Sequence, residues 1–316
     1  MAGVVVEHDL GPPGAGRAYR QQMRPRRRCL GAVLAAVVLA GCGAGSSQPA
    51  EEPLGPVREH WQLGQSVPES STVRVVGQRL DGYSESSRVS FSTGRDGATT
   101  ECAVTFYVPG WGGPENKVGE QVPTTVQGRP GVRNGAGAEG DYLIWQRPDG
   151  TWAESSCEDE GSSAFQDRLA ALVTDEPSDV LLPFDVEALP RGLRATSIQR
   201  DLGTGETTVR ASGRAEDFGR TRTDLVLTFD GPFDEPGRAT VIGGHPATVN
   251  ESPKFPGLCL EVQGHDVCVG ADSDDTGPYP DRSDELPVMT ALAEALRFPD
   301  DLADRSSWFP AQDVFG

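Results

Sequence analysis

Apolar and polar residues alternate in short runs along residues 66–300, and each set of runs closes on one longer stretch with a different period. Val89-Ser-Phe91, Val104-Thr-Phe106-Tyr-Val108 and Leu225-Val-Leu227-Thr-Phe229 read as half-buried strands, because alternate side chains of an extended chain face the same side. Phe165, Leu169, Leu172 and Val173 fall at i, i+4, i+7 and i+8, and Leu286, Met289, Leu292, Ala293 and Leu296 follow the same rule. That spacing gathers apolar groups onto one face of a helix.

The runs occur twice, in the same order. Val67-Pro68-Glu69 before Val73-Arg-Val-Val matches Leu189-Pro190-Arg191 before Leu193-Arg-Ala-Thr. Cys102-Ala-Val-Thr-Phe106 matches Leu225 to Phe229, Gly128-Arg-Pro130 leading to Asn134 matches Gly244-His-Pro246 leading to Asn250, and Leu169 to Val173 matches Leu292 to Leu296. Each match lies 116 to 123 positions from its partner. Strands followed by one helix in each copy predict an α+β fold: two tandem similar domains, 66–178 and 184–303, each an antiparallel β-sheet with one amphipathic helix packed on a face. Pro177 to Pro183 separates the copies, and residues 304–316 read as a C-terminal tail. At about 115 residues each copy is long enough to bury its own core.

Ahead of the strands the pattern changes. Arg26-Arg27-Arg28 precedes an apolar run from Leu30 to Ala40, too short to span a bilayer, which ends in Leu39-Ala40-Gly41-Cys42. These residues resemble a bacterial lipoprotein signal peptide with its lipobox. The resemblance implies cleavage between Gly41 and Cys42, acyl chains on Cys42, and a mature protein held to the extracytoplasmic face of the cell membrane. Two or three acyl chains make a stable anchor, each buried methylene contributing roughly 0.8 kcal/mol. Residues 23–41 are then the leader and 42–65, small and polar, a flexible tether. Residues 1–22, with Glu7, Asp9 and Pro12-Pro13, do not fit ahead of such a leader and read as an extension of the gene model, translation beginning at Met23. The Gly-x-Pro turn, following strand, Trp-bearing hairpin and closing helix also resemble extracytoplasmic domains of Gram-positive lipoproteins and membrane-tethered sensor proteins, a likeness that assigns no residue a role.

Of six cysteines, Cys29 lies in the leader and Cys42 carries lipid, leaving Cys102, Cys157, Cys259 and Cys268. An even remainder in an exported chain reads as two disulfides. A two-residue turn at Gln263-Gly264 places Cys259 opposite Cys268, at a pair of positions with close side chains. That leaves Cys102 for Cys157. No CxxC spacing supports zinc or thioredoxin-like chemistry. Of 28 basic and 47 acidic residues, six and two precede Cys42, so the remainder carries a formal charge of −23. Such a chain is repelled by nucleic acid and by anionic lipid, so its membrane partner is reached through the acyl chains of Cys42.

Candidate chemistry is sparse. His8 lies ahead of the leader, His60 in the tether, and His265 beside the hairpin turn, while His245 takes the turn position held by Arg129 in the first copy. None is placed to serve Ser-His-Asp or Cys-His catalysis, and Gly-x-Ser-x-Gly, Ser-x-x-Lys, His-Glu-x-x-His and P-loop patterns do not occur. Glu158-Asp159-Glu160 and Asp300-Asp301 single out no glycosidase pair in so acidic a chain. Asp272, Asp274 and Gly277 occupy calcium-loop positions, but the twelfth position is Ser283 where a bidentate Glu is needed. Trp145 and Trp152 flank the turn Arg147-Pro-Asp-Gly150 and read as core. The sequence thus points to a non-enzymatic, cofactor-free module for binding, sensing or envelope organisation, its protein or small-molecule ligand unspecified. A carrier of an apolar ligand or lipid would instead need an enclosed apolar cavity, and an exported hydrolase a cleft with a strongly perturbed carboxylate.

Overall fold

The computed structural model describes residues 58–92, 98–117, 119–134, 141–157, 163–213, 223–231, 237–272 and 281–316. Leader, lipobox and residues 1–22 lie outside them. Residues Glu52–Gly316 form one compact unit.

The first copy contains β1 (Gln62–Leu63), β2 (Val73–Asp81), β3 (Ser84–Ser92), β4 (Thr99–Tyr107), β5 (Gln121–Val126), β6 (Arg129–Asn134), β7 (Tyr142–Gln146), β8 (Trp152–Cys157) and α1 (Ser163–Leu172). Three short strands follow, β9 (Ser178–Asp179), β10 (Leu181–Leu182) and β11 (Asp185–Val186). The second copy contains β12 (Leu193–Asp201), β13 (Thr207–Gly213), β14 (Thr223–Phe229), β15 (Arg238–Ile242), β16 (His245–Asn250), β17 (Gly257–Val262), β18 (His265–Ala271) and α2 (Leu286–Glu294). The chain closes with β19 (Leu296–Arg297), β20 (Phe309–Pro310) and α3 (Ala311–Phe315).

Fourteen of these strands form a single antiparallel sheet in the order β15-β16-β17-β18-β14-β13-β12-β2-β3-β4-β8-β7-β6-β5. In each half a three-stranded meander leads to a jump to the sheet edge, and the chain then returns inward strand by strand. Two-residue turns with both residues at positive φ close the matching edge hairpins, Gln127-Gly128 in one half and Gly243-Gly244 in the other. That conformation twists with the flanking strands.

This architecture overturns the expected α+β class with its two separate sheets. Of the described residues 51% are strand and 15% helix, and one sheet runs through both halves. The physical reason lies in β2 and β12. Each is nine residues long, and each carries an irregularity at the corresponding place, between Val75 and Gly77 and between Ala195 and Ser197. Two such matching edges satisfy each other's backbone groups, which an unpaired edge would leave open. Alternation within a copy reports which side chains are inward and is blind to what its outermost strand pairs with.

The β2–β12 ladder is self-complementary. With Val73 placed on Leu193, the pair Asp81↔Ser197 becomes Gly77↔Asp201, while Arg79↔Gln199 maps onto itself. A local two-fold axis therefore passes through Arg79 and Gln199, normal to the sheet.

Registered partners and alternate residues place the apolar side chains of both halves on one face. α1 lays Leu169 and Ala170 against Val89, Phe91, Val104 and Phe106, and α2 lays Val288, Met289, Leu292 and Ala293 against Leu258, Leu260, Val267 and Val269. Leu296, expected on the helix, lies beyond its end and pairs with Val186. Between the helices the face is covered by three short ladders, β1 with β9, β10 with β20 and β11 with β19. Trp61, Leu63, Val180, Leu182, Phe184 and Trp308 are thereby buried against Leu80 and Ile198.

Both disulfides join registered residues of neighbouring strands. Cys102 of β4 is bonded to Cys157 of β8, and Cys259 of β17 to Cys268 of β18. Trp145 is buried in the first core and Trp152 is half-buried. They do not pack together, because Trp145 is registered with Ala153 and Trp152 with Gln146, which sets them on opposite faces. Among the described residues no helix is long and apolar enough to cross a membrane.

Candidate ligand cleft

An open cleft of about 590 Å³ lies at one end of β3 and β4, bounded by segment 58–64 and the β7–β8 hairpin. Leu63, Phe106, Val108, Pro109 and Pro177 supply its apolar wall. Its charges are already committed. The Arg58 guanidinium donates to the carbonyls of Asp81 at 2.8 Å and Ser84 at 3.0 Å and pairs with Glu85 at 2.9 Å. Glu85 in turn accepts from the Gly64 N–H at 2.9 Å. Burial pulls the Arg58 pKa down, and Glu85 opposes that pull.

Across the cleft the Arg147 guanidinium lies over the Phe106 ring, 5.5 Å from its centroid, with Asp149 at 3.7 Å. The turn expected at Arg147 to Gly150 is closed by the Gly150 N–H on the Arg147 carbonyl, 3.1 Å, with Gly150 at φ 84°. Burial works against the Asp149 charge, yet hydrogen bonds from Thr151 and the charge of Arg147 hold its pKa below the usual value. Beside the cleft the Tyr107 hydroxyl donates to Glu154 at 2.8 Å, and Lys117 reaches the other oxygen of the same carboxylate at 2.8 Å. Burial first, and Glu154 next, push the Tyr107 pKa well above its ordinary value.

Two aromatics follow the lining residues Gly82 and Pro109 along the chain. Tyr83 and Trp111 meet edge to face with centroids 4.2 Å apart, and stay 37% and 48% exposed. Trp111 is carried by Val108-Pro-Gly-Trp-Gly-Gly113, in which Gly110, Gly112 and Gly113 have φ of 84°, 67° and 99°. L side chains rarely adopt this region, so the loop shape depends on glycine. A Cβ on Gly112 would lie 2.3 Å from the Tyr107 ring. The Gly112→Ala substitution is expected to cost on the order of 1–2 kcal/mol and to move Trp111 off Tyr83. Tryptophan fluorescence and near-ultraviolet circular dichroism read this; spectra identical to those of the parent chain would contradict it.

The loop carrying Trp111 is longer than the matching connection of the second half. Thirteen residues, 108–120, connect β4 to β5, whereas eight, 230–237, connect β14 to β15. In a sheet whose halves otherwise follow one plan, the longer loop is an addition that the shared strand order does not require.

A smaller groove, about 290 Å³, straddles the two-fold axis on the other face and includes Arg79, Arg88, Gln199 and Asp201. Arg88 pairs with Asp201 at 2.7 Å, and backbone hydrogen bonds from Thr204 and Gly203 help hold the Asp201 pKa low.

The residues singled out in sequence are scattered. His60 lines the cleft, His245 abuts Phe298, and His265 stacks on Phe229 with Asp230 at 2.9 Å from its Nδ1. Asp272 is taken by Arg210 at 2.9 Å, while Asp274, Gly277 and Glu158-Asp159-Glu160 lie outside the described residues. Among the described residues no cluster of three His, Cys, Asp or Glu side chains could hold a metal. Arg58, Glu85, Tyr107 and Arg147 escaped the sequence reading. The glycines around Trp111 were the available signal. No protein-family model matches the chain, and no curated protein matches it in sequence.

Proposed function

We propose that the protein is a lipid-anchored binding module of the extracytoplasmic face, with acyl chains on Cys42 and the cleft beside Trp111 as its ligand surface. The observation carrying this reading is the exposed Trp111–Tyr83 pair, with positive-φ glycines on both sides of Trp111. A large aromatic kept exposed beside a cleft is a recurrent anchor for binding. Four of the cleft charges are paired, Arg58 with Glu85 and Arg147 with Asp149, so much of the surface left for a ligand is its apolar wall and the neighbouring aromatic pair, which favours a partner presenting an apolar face. The carboxylates with a resolved shift, Asp149, Asp201, Asp281 and Asp304, all lie below the ordinary value. A general acid needs the opposite shift, so binding is the better-supported reading.

Two substitutions test the two parts separately. Cys42→Ala should release the protein from the membrane fraction; retention there would overturn the anchor. Trp111→Ala, in the anchored chain, should weaken capture of whatever envelope component co-purifies with the parent by about 30-fold, the effect of a central interface aromatic. Equal recovery by parent and variant in quantitative mass spectrometry would remove Trp111 from the function.

A further inference from the structure

The two-fold axis exposes a substitution that the fold does not require. On one side of Arg79↔Gln199 the ladder pairs Leu80 with Ile198, both fully buried; its symmetry image pairs Arg200 with Gln78. The architecture thus accepts two aliphatic side chains at one such place and carries an arginine and a glutamine at the other. Arg200 is only 6% exposed. Its Nε and the Gln78 Oε1 are both buried without a hydrogen-bond partner among the described residues. A buried polar group left unpaired costs about 1–3 kcal/mol, and a buried arginine normally has a carboxylate beside it. In a chain this acidic, none stands at Arg200.

A second guanidinium stands there instead. Arg200 and Arg305 both face the buried Trp308 ring, 5.3 and 5.8 Å from its centroid. Arg305 is itself exposed, and its Nη1 donates to the Leu202 carbonyl at 2.9 Å. Gly205, at φ 90°, brings the β12–β13 turn so close that a Cβ would lie 3.0 Å from Arg305 Nη2. Burial, and then the charge of Arg305, lower the Arg200 pKa to about 10, so at neutral pH the pair remains doubly positive.

We propose that Arg200 and Arg305 form a binding site for a small oxyanion of the phosphate or carboxylate class, seated beside Trp308 and reached from the exposed Arg305 side. Forked guanidinium donors match such anions. One anion would neutralise two like charges and occupy the Arg200 Nε, which has no acceptor among the described residues.

The full chain should be melted in phosphate, in acetate and in chloride at equal ionic strength, as the parent, Arg305→Gln and Arg200→Leu. In the parent, at least one oxyanion at saturation should raise Tm over chloride by on the order of 5 °C. A response to phosphate alone indicates a tetrahedral ligand, and a response to acetate alone a carboxylate. Both variants should lose the shift, and Arg200→Leu, which removes the buried unpaired Nε, should melt in chloride at or above the parent. No oxyanion shift in the parent, or an undiminished shift in Arg305→Gln, overturns the site. Arg305→Gln decides the matter even if Arg200→Leu fails to fold.

Discussion

Replacing Cys102 and Cys157 together by alanine is expected to lower the unfolding free energy by about 4 kcal/mol, against about 2.5 kcal/mol for Cys259 and Cys268. The difference follows from loop length, because the first bond is closed across 55 residues and the second across 9. A cross-link removes more freedom from the unfolded chain when the segment it closes is longer. Topology adds a reason to expect the larger effect at Cys102–Cys157. Between those residues the chain leaves β4, forms the sheet edge at β5 and comes back through β6, β7 and β8. The bond therefore fixes the two ends of the whole excursion. Guanidinium unfolding of the two double variants measures both losses, and equal losses would rule out loop closure as the cause. Reduction of the parent chain should reproduce the sum.

Trp61→Ala is expected to cost about 3–5 kcal/mol, the range for truncating a fully packed large aromatic. Trp61 is 2% exposed, receives the Phe315 ring edge at 5.7 Å, and its backbone N–H donates to the Gln312 side chain at 2.6 Å. It joins the segment before β2 to α3 at the far end of the chain, so its loss loosens both. Cleavage by a protease near Arg58 and near Phe315 should rise together in the variant. A stability loss below about 1 kcal/mol, or a gain in cleavage at one end alone, would show that the two ends are held independently.

How much was legible beforehand depends on the range of the interaction. The Gln263-Gly264 turn and the Cys259–Cys268 bond were readable because both are set by neighbours along the chain. The burial of Leu169 on α1 and of Leu225 on β14 followed from period alone. Apart from the Cys102–Cys157 bond, reached by elimination, the relations between distant stretches of few residues escaped. The two-residue ladders at Leu181–Leu182 and Leu296–Arg297 are too short to show any period. Trp61, Leu63 and Gln65, within the stretch read as a tether, are buried because their partners come from the linker and the C-terminus. The fusion of two sheets into one was hidden for the same reason, since β2 and β12 alternate as they would beside any neighbour. Arg58 and Arg147 gave no local signal, and the cleft they line exists only once segment 58–64 is docked.

The short ladder between Gln62–Leu63 and Ser178–Asp179 has a mechanical consequence. Any pull on the chain from ahead of Arg58 meets first the Arg58 guanidinium, bonded to Asp81, Ser84 and Glu85, and then the two registered residue pairs and the Trp61 ring. Since the same segment forms one wall of the cleft, tension at the amino-terminal side would reshape that wall first, while β2 to β8 kept their register.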